Sequence, residues 1–278
     1  LTPDEQRRVS LRGTQNVDAY ELLMRGRQRE SFFNPRANEA AVKYYRQAIR
    51  LDPGYADAYA HLSVVQGIVA TFGNIDAPKE LLADALKNAE RAVELERALP
   101  LGHFALGRIL SRPQFADYPR PNPEIRKAIS LDPSHADSYP NLAFVSIFSG
   151  DAAAALKWVN IGMQINPHYP FWYLFARAMA SYLIGEHDAA VRDLEEASRR
   201  NPTVFFIRYW LAAALAEASR ADEARWEVDE IRGIGHTESR EGLLRKSPIT
   251  FAPYKDKLAD GLKKAGFEEP GRAVTPSP

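Results

Sequence analysis

Apolar residues along this chain recur three and four positions apart, the spacing of one helix face, and not in the alternation of a half-buried strand. Ala41, Tyr45 and Ala48 form one such set; Tyr254, Leu258, Leu262 and Ala265 form another, closed by Gly266. Each run ends on a helix stop. The commonest is A-x-x-L-[DN]-P, in which proline lacks an N–H and restrains the residue before it. A short turn follows, and then a helix opening with an aromatic residue and, three positions on, Leu. The pattern predicts an all-α chain of short helices joined by tight turns.

The pattern is also repeated. AIRLDPGYADAYAHLS from Ala48 returns as AISLDPSHADSYPNLA from Ala128. Between Pro133 and Pro167, 34 residues apart, stand Tyr139, Leu142, Ala143, Gly150, Ala155 and Gly162. Those offsets match an aromatic, Leu, small, Gly, Ala, small pattern. On these residues the chain resembles the tetratricopeptide-repeat family, whose units of about 34 residues stack because one helix pair cannot bury its apolar face alone. The next unit, to Pro202, keeps Gly185, Ala190, Leu194 and Ala197 but has Arg177 where Leu is usual; a further one keeps Leu211, Ala212, Ala224 and Ile231 and has His236 in place of the proline. Upstream, Pro53 closes one unit, Tyr59 to Ala92 forms another containing the insertion TFGNIDAPK, and Leu106 to Pro133 a third containing the proline-rich SRPQFADYPRPNPE. The resemblance implies a right-handed α-α superhelix of about six helix pairs with helical caps.

The expected organisation is therefore a capping helix over residues 1–18, where Thr2, Pro3 and Glu5 make a capping box; repeats over 19–236; capping helices over 237–269; and a disordered tail over 270–278. Small residues recur where the helices of a pair approach, and a larger side chain there would cost on the order of 1–3 kcal/mol.

In this family the first helix of each unit lines the inner wall. By that register the wall receives Phe104, Arg108 and Arg112; then Phe144, Ile147 and Phe148; then Trp172, Phe175, Met179, Tyr182 and Leu183; and finally Phe206 and Tyr209. So much aromatic surface is unfavourable in water, at about 25 cal/mol per Å2. Three occupants compete for it. A protein or peptide partner would use the rings as anchors and Arg108 and Arg112 for a carboxylate. The chain's own C-terminal segment, from Ser247, is the second. The third is plain core, buried between units.

Composition narrows the chemistry. Thirty-six basic residues balance thirty-six acidic ones, so nothing draws the chain to nucleic acid or an anionic membrane. The sequence has no apolar stretch long enough for a transmembrane helix, and it has no cysteine; together these suggest a cytoplasmic protein. Phosphate-loop, dinucleotide, nucleophile-elbow and zinc-pair motifs are missing, and no catalytic, metal or cofactor residue is expected. The histidines at 61, 103, 135, 168, 187 and 236 never fall four apart and read as turn and surface residues; Glu195–Glu196, Asp229–Glu230 and Arg25, Arg27 and Arg29 read as solvated faces.

A narrower resemblance lies at the two ends. LTPDEQRR with NVDAYELLMRGR and the helix that follows, together with DKLADGLKKAGFEEP near the end, resemble the tetratricopeptide tails of bacterial class III adenylate/guanylate cyclases. Similar tails follow winged-helix transcription regulators, the alternative parent. Beginning at Leu1 and not at Met, the chain is expected to be a piece of a longer protein. The cyclase resemblance implies a regulatory or scaffolding segment without catalytic residues, dimeric through its parent.

Overall fold

The computed structural model describes residues 13–30, 32, 34–72, 79–112, 115, 123–233, 235 and 239–267. Among them are fourteen α-helices and no strand. They fall into two compact units, Leu1–Ser138 and Tyr139–Pro278. In the first, α1 (Val17–Glu30) packs on α2 (Pro35–Leu51), α3 (Ala56–Phe72) on α4 (Lys79–Leu95), and α5 (Pro100–Leu110) on α6 (Pro123–Leu131). The second holds α7 (Ser138–Phe148), α8 (Ala152–Ile165), α9 (Phe171–Ile184), α10 (His187–Arg200), α11 (Phe206–Glu217) and α12 (Ala221–Gly233), followed by α13 (Arg240–Lys246) and α14 (Ala252–Lys264). The described residues are thus all-α.

The repeated stop has a single geometry. At Asp52, Asp132, Asn166 and Asn201 the backbone N–H closes onto the carbonyl four residues back, that of Ala48, Ala128, Gly162 and Ala197, at 2.9, 2.9, 2.9 and 3.0 Å. Proline comes next, so the helix cannot continue. The Asp or Asn side chain then turns the backbone. Asp52 Oδ1 accepts from Gly54 N at 2.9 Å, Asp132 Oδ1 from Ser134 N at 2.9 Å, and Asn166 Oδ1 from His168 N at 3.1 Å. A short polar side chain can do this where a longer one cannot, which explains the choice of Asp or Asn.

Helix starts are capped in the same economical way: Asn34 Oδ1 accepts from Ala37 N ahead of α2, and Asp151 Oδ1 from Ala154 N ahead of α8, both at 2.9 Å. Gly150 and Gly185, each at φ 96°, end α7 and α9 in the left-handed conformation that favours glycine. The small positions are closed contacts. Ala41, Ala48, Ala89, Ala92, Ala128, Ala155, Ala190, Ala197 and Ala224 are fully buried. Arg177, standing where the repeat uses Leu, keeps its place by forking onto Asp193 of α10, Nε to Oδ2 and Nη2 to Oδ1 at 2.7 Å each.

The capping box at Thr2 to Glu5, most of the TFGNIDAPK insertion and of the proline-rich segment, His236 and the 270–278 tail lie outside the described residues.

Candidate functional site

In the second unit the wall residues form a ladder of rings. Phe148 stacks on Phe144 at 6.1 Å, Phe144 meets Phe175 at 6.1 Å, and Phe175 meets Phe206 at 4.9 Å and Trp210 at 6.4 Å. Trp210 carries the ladder to Tyr182 at 5.6 Å, edge to face. Tyr209 joins Phe205 and Phe267, and Trp172 sits edge-on to Tyr173. Phe175, Met179, Tyr182 and Tyr209 are buried, while Phe144, Phe148, Trp172 and Phe206 are half-buried. Rings on successive first helices thus cover one another.

The rest of the covering comes from the chain itself. The N–H groups of Thr250 and Phe251 donate to the carbonyl of Phe148, at 3.1 and 3.3 Å, and the Thr250 hydroxyl adds a third bond at 2.8 Å. Tyr254 Oη accepts from Ala152 N at the start of α8. Beyond it α14 lies on α11. The Tyr182 hydroxyl donates to the Lys257 carbonyl, Lys257 Nζ to the Leu183 carbonyl at 3.1 Å, and Lys264 Nζ to Glu217. Ile249, Leu258, Leu262, Ala265 and Phe267 are buried by this docking. Burial pushes the Tyr182 phenol up, with the charges of Glu217 and Asp260 adding to it, so it remains a donor. In this unit the C-terminal segment thus reaches Phe148 and Tyr182, and neighbouring rings bury part of one another.

The first unit has a different wall. Phe104 is buried against Val64, Ile68 and Ala105 and packs on the His135 ring at 4.9 Å. Around it lies a polar cluster that the sequence reading did not assemble. Glu30 accepts from the Tyr45 hydroxyl at 2.6 Å and contacts His61 Nδ1 at 3.1 Å. Burial pushes Glu30 up, but the His61 charge, the hydrogen bonds from His61 and Tyr45 and the Arg108 charge outweigh it and hold the carboxyl below its ordinary range. Arg112 donates to the Gly67 carbonyl. Burial and then the adjacent Arg108 charge depress Arg112 to about 9. Arg108 is likewise lowered by burial, against the pull of Asp137 and Glu30, and it makes no salt bridge among the described residues. A signal for Asp137 was present in the sequence: it holds the second position of its unit, one of the wall positions, yet only Phe144, Ile147 and Phe148 were taken from that unit.

The histidines need correction. His103 is buried, not a surface residue: Nδ1 meets Glu124 Oε2 at 2.6 Å and Nε2 meets the Arg97 carbonyl at 2.9 Å, joining the starts of α5 and α6. His61 is equally internal, and His168 alone of these three lies exposed in a turn. Among the described residues no group of His, Asp and Glu is arranged to hold a metal ion, and no helix is long and apolar enough to cross a membrane.

Comparison with known proteins agrees with this architecture. The tetratricopeptide-repeat family model matches residues 37–55. A protein named putative adenylate cyclase 3 from Rhizobium meliloti (strain 1021) is 34% identical over 113 residues, 40% of this chain and 19% of that protein. A rice protein (Oryza sativa subsp. japonica) named DnaJ protein P58IPK homolog B is 25% identical over 90% of this chain and 45% of its own length. The chain therefore spans less than half the length of either relative. Among solved structures, TTC0263, a thermophilic tetratricopeptide protein of Thermus thermophilus, aligns with a TM-score of 0.54 at 18% identity, over 71% of this chain and 98% of that one, a likeness of fold.

Proposed function

We propose that the chain, which resembles tetratricopeptide-repeat proteins and the repeat regions of cyclases, is a protein-interaction scaffold, the non-catalytic, cytoplasmic binding module of an adenylate or guanylate cyclase, holding a peptide on its first unit. The observation that carries the binding reading is the contrast between the two walls. In the second unit Phe175, Met179, Tyr182 and Tyr209 are buried, and the Phe148 carbonyl and the Tyr182 hydroxyl are already bonded to residues of the C-terminal segment. In the first, Arg108 is a half-buried cation with no salt bridge among the described residues, set among Glu30, Asp137 and Arg112. A carboxylate on a partner peptide would supply the charge-assisted hydrogen bonds that such a guanidinium lacks. The cyclase reading is supported by the match to the Rhizobium protein and by the residues of the two ends.

The binding reading is tested by titrating the chain with a library of acidic peptides, with Arg108→Glu and a variant ending at Lys246 alongside. Saturable binding that is lost in Arg108→Glu and retained on truncation is expected. Binding seen only after truncation would transfer the site to the second unit, and none in any form would remove it. The parent is read from the codons upstream of Leu1: a cyclase core with paired metal-binding aspartates is expected, and a winged helix there would replace the cyclase reading.

A further inference from the structure

Away from both walls, three helices of the first unit line an open cavity of about 370 Å3. Each supplies one turn: Arg46, Ile49 and Arg50 from α2, Tyr59, Leu62 and Gln66 from α3, and Asp84, Lys87 and Asn88 from α4. The spacing within each set is three and four residues, so each helix presents a single face to the cavity. Leu62 and Gln66 are 3% and 1% exposed, whereas Arg46, Arg50, Asp84 and Lys87 are exposed. The cavity thus has a buried floor and a charged rim.

Two features of it are unexplained by the fold. Gln66 takes a hydrogen bond from Asn88 Nδ2 on Oε1 at 2.8 Å, but its Nε2 is buried and has no partner among the described residues. Turning both amides over moves the orphan to Oε1 and does not remove it, so a buried polar group bears its desolvation penalty in either arrangement. At the rim, Arg46, Arg50 and Lys87 form no salt bridge among the described residues, and Asp84 is the one acidic residue among those lining the cavity. Three cations therefore face one anion in a chain whose charges otherwise balance. Tyr59 contributes to the lining from α3.

We propose that this cavity binds a small organic anion, with its phosphate or carboxylate group at Arg46, Arg50 and Lys87 and its uncharged body against Tyr59, Ile49 and Leu62, where it pairs with the Gln66 amide. The volume suits a small molecule, since such sites enclose about 300–1,000 Å3. An anion at the rim would pair the cations with charge-assisted bonds, and the body would meet the unpaired amide. The site shares no residue with the peptide wall proposed above and does not depend on it.

The test uses the full chain, with inorganic phosphate, 4-hydroxyphenyl phosphate and 4-hydroxybenzoate as probes in calorimetric titration and in NMR of the side-chain amides; the ring hydroxyl supplies the acceptor for the Gln66 amide. Of the two ring-bearing probes, the one that carries the preferred anion binds saturably and shifts the Gln66 amide, and inorganic phosphate binds more weakly than it does. The double variant Arg46→Ala, Arg50→Ala weakens that binding about tenfold or more. Gln66→Leu also weakens it, with a thermal midpoint no lower than that of the parent, which separates loss of binding from loss of fold. No saturable binding of either ring-bearing anion, equal affinity for inorganic phosphate, or indifference to both sets of substitutions would each overturn the proposal.

Discussion

The Tyr182 hydroxyl donates to the backbone carbonyl of Lys257, 75 residues further along the chain, at 2.8 Å. The two helices come this close because Gly261 has no side chain: a Cβ there would lie 2.2 Å from Tyr182 Oη and 3.0 Å from Ala213 Cβ. Gly261→Ala is therefore expected to push α14 off α11 and destabilise the second unit by about 1–3 kcal/mol. Tyr182→Phe, which loses one hydrogen bond, should cost about 0.5–1.5 kcal/mol. Without Oη the nearest remaining atom of residue 182 is 3.3 Å from the new methyl. The double variant should then be more stable than the sum of the two penalties, a coupling that urea denaturation measures; strict additivity would mean that the contact does not set the docking.

Acid should loosen the same segment through His187. Its ring meets Tyr182 edge-on at 5.4 Å, and burial, then the charge of Lys257, lower it from its ordinary value of 6.5, with Lys264 acting in the same sense and Glu217 and Asp188 opposing. A histidine whose folded value is depressed favours the neutral form, so its contribution is complete above 6.5 and fades as pH falls through the lowered folded value. Hydrogen exchange of the α14 amides should accelerate over that window. His187→Gln, which carries no titratable ring, should flatten the dependence, and an unchanged profile would assign it to another group.

The parts legible in the sequence were those that the backbone decides locally. Helix stops at Asp52, Asp132, Asn166 and Asn201 and the buried alanines follow from proline, short polar side chains and close helix contacts, all readable within a few residues. What escaped depends on chain distance. Glu30, Tyr45 and His61 meet from three separate helices, and no local spacing announces it. Trp210, which links Phe175 to Tyr182, stands immediately before its repeat's Leu211, as His61 stands before Leu62; that position was not counted toward the wall. The docking of residues 249–267 was one of three open alternatives, because an amphipathic helix signals that it needs cover but not which surface provides it.

Arg177 and Asp193 form the clearest exchange of one repeat solution for another. The guanidinium replaces a leucine and is about one-third exposed, while Asp193 is nearly covered, at 31% and 13%. Removing one partner leaves the other charge unpaired in a partly dry site. Asp193→Ala should therefore cost more than the double variant Arg177→Leu, Asp193→Ala, which restores the usual residue; the single change is expected to lose about 1–3 kcal/mol. A double variant as unstable as the single one would show that the ion pair contributes more than leucine packing can.

Asp52 and Asp132 test whether the two near-identical stretches are physically equivalent. Each turns the backbone by accepting the N–H two residues on, and each has a second hydroxyl donor, Thr14 for Asp52 and Ser134 for Asp132. Alanine at either position should cost about 0.5–1.5 kcal/mol per lost bond, more at Asp52, where the stranded Thr14 is 8% exposed. Asparagine should be nearly neutral at both, because Asn166 already makes this turn. Acid distinguishes the two residue types. The hydroxyl and N–H of Ser134 hold the Asp132 carboxyl below its ordinary 3.8 against the opposing effect of burial, so its contribution is present above 3.8 and lost as pH falls through the lowered value. Asp132→Asn should remove that acid-dependent loss while leaving stability near neutral pH unchanged, a difference that thermal melts across the acid range resolve.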